Sequence, residues 1–281
     1  MTLLPAALFI AATLAPPTGT PPATASGKFK DQKWTVPIAG AYAFRGKTGG
    51  FGDDEVIRVA VSNTKFVPEA VDWHYDREHA INTYFIDDET KVVYFEFDDS
   101  GKYHGLSYYF ESGDGCGYCF DSKVKSTVRA ADGRLKGDLT YKGDDREFQI
   151  TLDVPVPPKT WGEKLPPDGG APGKAYLAYH QALEKRDKKA LYAIADSDVK
   201  ARYQKYEKEG KLDGYFDYLW HDEHTELKTV KITGGFVEGD RAVVLFDGTG
   251  AVIDNLYGEA LLRRENGAWL VHEDMVSVGS R

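Results

Sequence analysis

Two periods of hydrophobicity divide this chain. Between residues 54 and 153, short runs rich in Val, Ile, Tyr and Phe alternate apolar with polar positions: DEVIRVAVS, INTYFI, KVVYFEF, KYHGLSYYF, VKSTVR, RLKGDLTY and REFQITLD. Ile57, Val59 and Val61 keep the period of two that turns one face of a strand to a core, and Val92, Tyr94 and Glu96 alternate with Val93, Phe95 and Phe97. Asp87-Asp88-Glu89, Ser100-Gly101, Asp132-Gly133 and Gly143-Asp144 separate the runs, the last three as hairpin turns. Seven or eight strands at this spacing, with no segment long enough for a crossover helix, predict an antiparallel β-sandwich or barrel.

After residue 174 the period lengthens. AYLAYHQALEKRDKKALYAIADSDVKARYQKYEKEG places Tyr176, Tyr179 and Leu183, then Leu191 and Ile194, at helical spacing, with a break at Arg186-Asp187. A third helix is predicted over 212–224. ELKTVKITGGFVEGDRAVVLFDG and NLYGEALLRRENGAWLVHEDMVSVG then read as strands, turned at Glu238-Gly239-Asp240 and Asn266-Gly267. Helices followed by an antiparallel meander make this half α+β.

Between the halves lies VPVPPKTWGEKLPPDGGAPGK, which can continue neither a helix nor a central strand because it holds Pro155, Pro157, Pro158, Pro166, Pro167 and Pro172. The expected organisation is a β-rich domain over 26–153, a Pro-rich linker over 154–173 and an α+β domain over 174–281. Ahead of them, residues 1–25 read as a signal peptide. The apolar run from Leu3 to Ala15 is too short to span a bilayer, no charged side chain precedes Lys28, and Ala23-Thr24-Ala25 offers a cleavage site before Ser26. A periplasmic or secreted location follows as an expectation.

The formal net charge of -9 then belongs to the mature chain. An acidic surface repels phosphate backbones, so nucleic acid is not an expected partner, and no membrane span is expected. The chain lacks a phosphate-binding Gly loop, a G-x-S-x-G elbow and a dinucleotide fingerprint, and no cofactor is implied.

The opening AYLAYHQALEKRDKKALYAIA and the closing YGEALLRRENGAWLVHEDMV, with Gly267-Ala268-Trp269-Leu270-Val271, resemble the NTF2-like superfamily and its SnoaL-like members over residues 174–281. The resemblance implies a long helix closing a bent sheet into a cone, with a pocket between them. The superfamily hosts isomerases, cyclases, dehydratases and many non-catalytic binders, so the fold does not name a function. Tyr176, Tyr179, Phe216, Phe246, Asp247, Tyr257, Trp269 and His272 are the residues expected to line the cone or its mouth. Of these Asp247, His272 and Tyr179 could form an acid/base set, because burial moves a carboxyl toward neutrality. Filling of the core by the aromatic rings is the plainer expectation.

Cys116 and Cys119 stand C-x-x-C in SGDGCGYCFDS. Asp114 and Asp121 flank them and a strand pattern follows, which opposes a low-pKa redox thiol at a helix start; zinc would need further ligands. A local disulfide suits an exported protein. His221 and His224 could share a helix face as a metal patch, but without the H-E-x-x-H arrangement they read as the cationic end of a helix. The functional expectation is a non-catalytic envelope protein that binds a small apolar ligand or a protein partner. The alternatives are an acid/base enzyme of isomerase or dehydratase type, and an interaction module that forms a homodimer through the open face of the cone's sheet.

Overall fold

The structure, a computed structural model, describes residues 22–31, 34–47, 55–86, 89–109, 115–119, 122–158, 161–221 and 227–279. In chain order it contains β1 (Thr24–Asp31), β2 (Trp34–Ile38), β3 (Gly40–Lys47) and β4 (Glu55–Ser62), then a 3-10 turn (Pro68–Ala70) and α1 (Arg77–Phe85). There follow β5 (Val92–Phe97), β6 (Tyr103–Tyr109), β7 (Gly115–Cys119), β8 (Lys125–Ser126), β9 (Arg129–Ala131), β10 (Arg134–Lys142) and β11 (Arg146–Pro155). The C-terminal part holds β12 (Glu163–Lys164), α2 (Gly170–Glu184), α3 (Lys188–Ile194), α4 (Ser197–Lys208), α5 (Leu212–His221), β13 (Leu227–Glu238), β14 (Arg241–Gly250), β15 (Leu256–Glu265) and β16 (Ala268–Val278).

The strands form three sheets, ordered β2-β1-β11-β10-β8 with β9 also on β10, β3-β4-β5-β6-β7, and β12-β13-β14-β15-β16. Each ladder between these strands is antiparallel. The first two sheets share one core, in which Phe29, Val36, Leu139, Phe148 and Ile150 meet Ile57, Val59, Val93 and Phe95. Only Ala39 separates β2 from β3, so the chain turns from one sheet into the other at a corner. Gly40 is required there, since a Cβ would come within 2.3 Å of the Thr64 carbonyl oxygen.

The period of two in β4 and β5 does not mean one wet face. Val56 through Ser62 and all of β5 are buried, because the 3-10 turn and α1 cover the second face with Val71, Ala80 and Ile81 against Tyr42, Phe44, Ala60 and Tyr94. The buried Arg58 on that face is paired with Glu78, donates to Ser107 Oγ at 2.8 Å, and lies 3.5 Å from Glu96 Oε1. These ion pairs and the hydrogen bond to Ser107 offset the cost of burying the charge, although the Arg58 Nε–H itself makes no hydrogen bond.

Helix α1 overturns one expectation. INTYFI, read as a strand, is the second half of α1 except for Ile86. Asp76 accepts the His79 N–H at 3.0 Å as N-cap and Glu78 stands in the first turn, and these starting signals outweigh the β-preference of Ile, Thr, Tyr and Phe. Strands β1 to β3 precede the first strand expected from the pattern. Residues 1–21 lie outside the described residues, and the cleavage point expected before Ser26 falls inside β1, where Thr24 and Ala25 pair with Asp153 and Leu152.

In the C-terminal part α2 to α5 pack on one face of β13–β16. The break at Arg186 is present, with a positive φ of 52°, and Asp187 caps α3 by accepting the Ala190 N–H. A second break, at Asp196, caps α4 through the Val199 N–H. β12 lies within the Pro-rich segment and pairs with β13. Among the described residues no helix is long and apolar enough to cross a membrane.

Candidate functional site

Strand alternation sorts the residues of the last sheet between two faces. Ala242, Val244 and Phe246 of β14 and Leu256, Ala260 and Leu262 of β15 point toward the helices, so Val243, Leu245, Tyr257, Glu259 and Leu261 point the other way. Tyr176, Tyr179, Phe216 and Phe246, four of the residues expected in the interior, do meet there. The Tyr176 ring lies 4.8 Å from Phe246 and 6.2 Å from Tyr179, and none of the four exceeds 6% exposure. Gly258 makes room for them, since a Cβ there would come within 2.4 Å of Phe246 Cζ. The interior is filled by its own rings.

Three expected residues stand elsewhere. Asp247 follows inward Phe246 and is therefore turned out and exposed. Tyr257 precedes inward Gly258 and faces the opposite side of the sheet. His272 is the extra residue of a β-bulge, since Leu261 pairs with Glu273 while Leu262 pairs with Val271. It stacks on Trp73 at 4.6 Å and joins Asp196 through Nδ1 at 2.7 Å. Trp269 is half-buried at the rim of the interior, under Arg264.

The same bulge turns Asp274 inward. Tyr176 donates its hydroxyl to Asp274 Oδ2 at 3.2 Å. Burial pushes the Asp274 carboxyl up to about 6, with the Tyr176 and Tyr179 hydroxyls holding it back. Burial, and the Asp274 charge after it, raises both tyrosine hydroxyls. The trio is an acid that exchanges a proton near neutrality beside two hydroxyls that stay protonated.

The outer face of the sheet carries the other concentration of polar groups, and the segment between β4 and β5 docks on it. Glu259, 2% exposed, accepts from His74 Nδ1 at 2.7 Å and from the backbone N–H groups of Tyr75 at 3.0 Å and Asp76 at 2.9 Å. Trp73 donates its indole N–H to the Ala242 carbonyl at 3.3 Å and packs on Val243 and Leu261. Tyr84 donates to Glu273; burial, then the Glu273 carboxylate, raises the phenol so that it remains a donor. Ser277 Oγ lies 3.2 Å from His79 Nδ1. Beside these contacts opens a cleft lined by Asp76, His79, Tyr257, Glu259, Met275 and Ser277. The sheet face expected to be open for a homodimer is in part occupied by this docking.

No family model matches the chain. Nor does any protein with a curated description match it.

Asp196, Asp198 and His272 bring one ligand atom each within 4.8 Å of one another. The positive charge among them is Arg263, 2.7 Å from Asp198 and 3.7 Å from Asp196. Burial raises the Asp196 carboxyl, but the hydrogen bonds from His272 and from the Val199 N–H outweigh it and hold the carboxyl below its usual range. An ion pair with a helix cap accounts for this cluster without a metal. The side chains of His221 and Cys116, and all of His224, lie outside the described residues. The backbone places Cys116 opposite Tyr108 and Cys119 opposite Leu106 on β7, the last strand of its sheet, rather than in a loop.

Proposed function

We propose that this is an exported, two-domain binding protein without catalytic machinery: a β-sandwich followed by an NTF2-like cone, recognising its ligand at the junction of the two rather than inside the cone. The single observation that carries this reading is the contrast between the two sites. The interior is occupied by Tyr176, Tyr179, Phe216 and Phe246, whereas the junction has a cleft with converging polar groups, and ligand sites favour such seams. A fragment set of mixed charge and polarity tests it by methyl NMR. Met1 and Met275 are the only methionines, so methyl-labelled methionine gives one reporter in the cleft. Binding fragments are expected to shift Met275 and to leave the interior methyls of Leu191, Val199 and Val244 in place. Hits confined to those interior methyls would reverse the assignment.

The Asp274–Tyr176–Tyr179 trio supports a second reading, an acid/base enzyme acting in the cone after its rings part. Export and the Cys116–Cys119 staple are tested together by native mass spectrometry of the protein from its host envelope. The expected mass begins at Ser26 and is light by two thiol hydrogens; a mass retaining Met1 with free thiols overturns both.

A further inference from the structure

We infer that α1 is a latch: its first turn takes part of its cap from the C-terminal part of the molecule, so the turn is made when the two parts dock and unmade when they separate. The inference holds whether or not the junction takes a ligand.

A helix start can be closed locally by a reciprocal pair, in which the N-cap side chain accepts the N–H of the third helical residue and that residue's side chain accepts the N-cap N–H. Half of this pair is present in α1. Asp76 accepts the His79 N–H at 3.0 Å, but the third position is a histidine whose Nδ1 lies 3.2 Å from Ser277 Oγ. The Asp76 N–H goes instead to Glu259 Oε2 at 2.9 Å, together with the Tyr75 N–H at 3.0 Å. The apolar contact of a helix start is exchanged in the same way. The residue before an N-cap often packs on the fourth helical residue; here Tyr75 stacks on Phe236 of β13 at 5.3 Å, while Ala80 packs on the sandwich. Two start signals that a helix can carry in its own sequence are therefore supplied by β15 and β13.

The rest of α1 does not make up the difference. Nine residues are fewer than the roughly 12 an isolated helix needs in water, and Ile81, Thr83, Tyr84 and Phe85 are weak helix formers. Ala80 and Ile81, with Asn82 accepting the Tyr94 hydroxyl at 2.5 Å, fix the second turn to the sandwich, but none of them serves the N–H groups at the start. Glu78 stands in the first turn and is paired with the buried Arg58. Separation of the two parts thus frees the Asp76 N–H, loosens the turn and draws Glu78 from Arg58, so that a contact at the junction is felt inside the sandwich.

Residue-resolved amide exchange of the full mature protein tests this. In denaturant too weak to unfold the sandwich, the amides from Ala80 to Thr83 are expected to open with the same free energy and denaturant slope as those of Tyr75 and Asp76, and before those of Val59 and Val93 in β4 and β5. Glu259→Ala should lower protection from Ala80 to Thr83 at least tenfold, the loss of two hydrogen bonds to a charged acceptor, and leave Val59 and Val93 unchanged. Adding His79→Glu to that variant returns the missing acceptor within the helix. Most of the lost protection should then come back, while the Pro-rich segment around Trp161 stays open to proteolysis. Parent α1 amides that exchange apart from those of Tyr75 and Asp76, α1 protection that survives Glu259→Ala, or protection that His79→Glu does not restore would each overturn the inference. The first comparison needs only the parent, so it decides the matter even if Glu259→Ala fails to fold.

Discussion

Glu259→Ala is expected to uncouple the two parts of the molecule. In the parent, one buried carboxylate satisfies the His74 imidazole and two backbone N–H groups that come from the far side of the junction. Removing it leaves those donors facing an apolar seam of Trp73, Val243 and Leu261. Breaking a buried pair in this way costs about 3–5 kcal/mol, which for a chain of this size lowers the unfolding midpoint by roughly 6–20 °C. A cooperative melt should become two transitions, with new proteolytic cuts near Tyr75 and in the Pro-rich segment around Trp161, where Trp161 packs on Phe236. His74→Ala in the Glu259→Ala background should then cost much less than in the parent, since the two share one interaction. A midpoint within about 1 °C of the parent would show that Trp73 and Tyr84 hold the junction without Glu259.

That junction shows where sequence patterning stops. β13 to β16, their turns, and the helical period from Tyr176 to Leu191 were legible, because each depends on neighbours three or four positions away or on a local turn such as Asn266-Gly267, which takes φ of 50° and 84°. Alternation also told inward from outward wherever the ladder stayed regular, as it did for Phe246. It failed at Asp274, because the bulge at His272 adds one residue and moves every later side chain to the other face. His272 itself stands one position after inward Val271, where the alternation alone turns it outward toward Trp73. Asp247 is the same kind of miss as His272: the pattern itself, applied one residue after Phe246, would have turned it outward.

Glu259 could not be found by local reasoning. Within GEALL it is one acid among apolar residues, and its partners His74, Tyr75 and Asp76 lie about 180 residues upstream. The signal that was present is an acid at an outward position of a strand otherwise buried throughout its centre. Helix α1 was hidden for a related reason. Its exposed side is shared between solvent and the other half of the molecule, so Tyr84 reaches Glu273 and Ala80 packs inward without any clean helical stripe. The segment reads as a strand until something is there for it to dock on.

The other large effect concerns Asp274 and its pH dependence. Burial raises this carboxyl to about 6 in the folded protein, against about 3.9 in an unfolded chain. The folded state therefore binds the proton more tightly, so the contribution is fully favourable below pH ~4 and is lost as pH rises through about 6. Two pKa units correspond to about 3 kcal/mol, an upper limit because Asp274 keeps part of its surface in solvent. Asp274→Asn retains an oxygen to accept the Tyr176 hydroxyl and cannot ionise. The stability of the variant minus that of the parent should accordingly rise by up to about 3 kcal/mol between pH 4 and pH 7. Taking the difference cancels the opposite slope from Asp196, whose carboxyl is held low. Denaturant titrations at pH steps across that window measure it, and a difference that stays flat would mean that Asp274 is not buried as an acid at all. A variant more stable than the parent at pH 7 would carry a further consequence. An ionisable side chain kept among Tyr176, Tyr179 and Phe246 against the stability of the fold is one retained for its proton, which would shift weight from the binding reading toward acid/base chemistry in the interior.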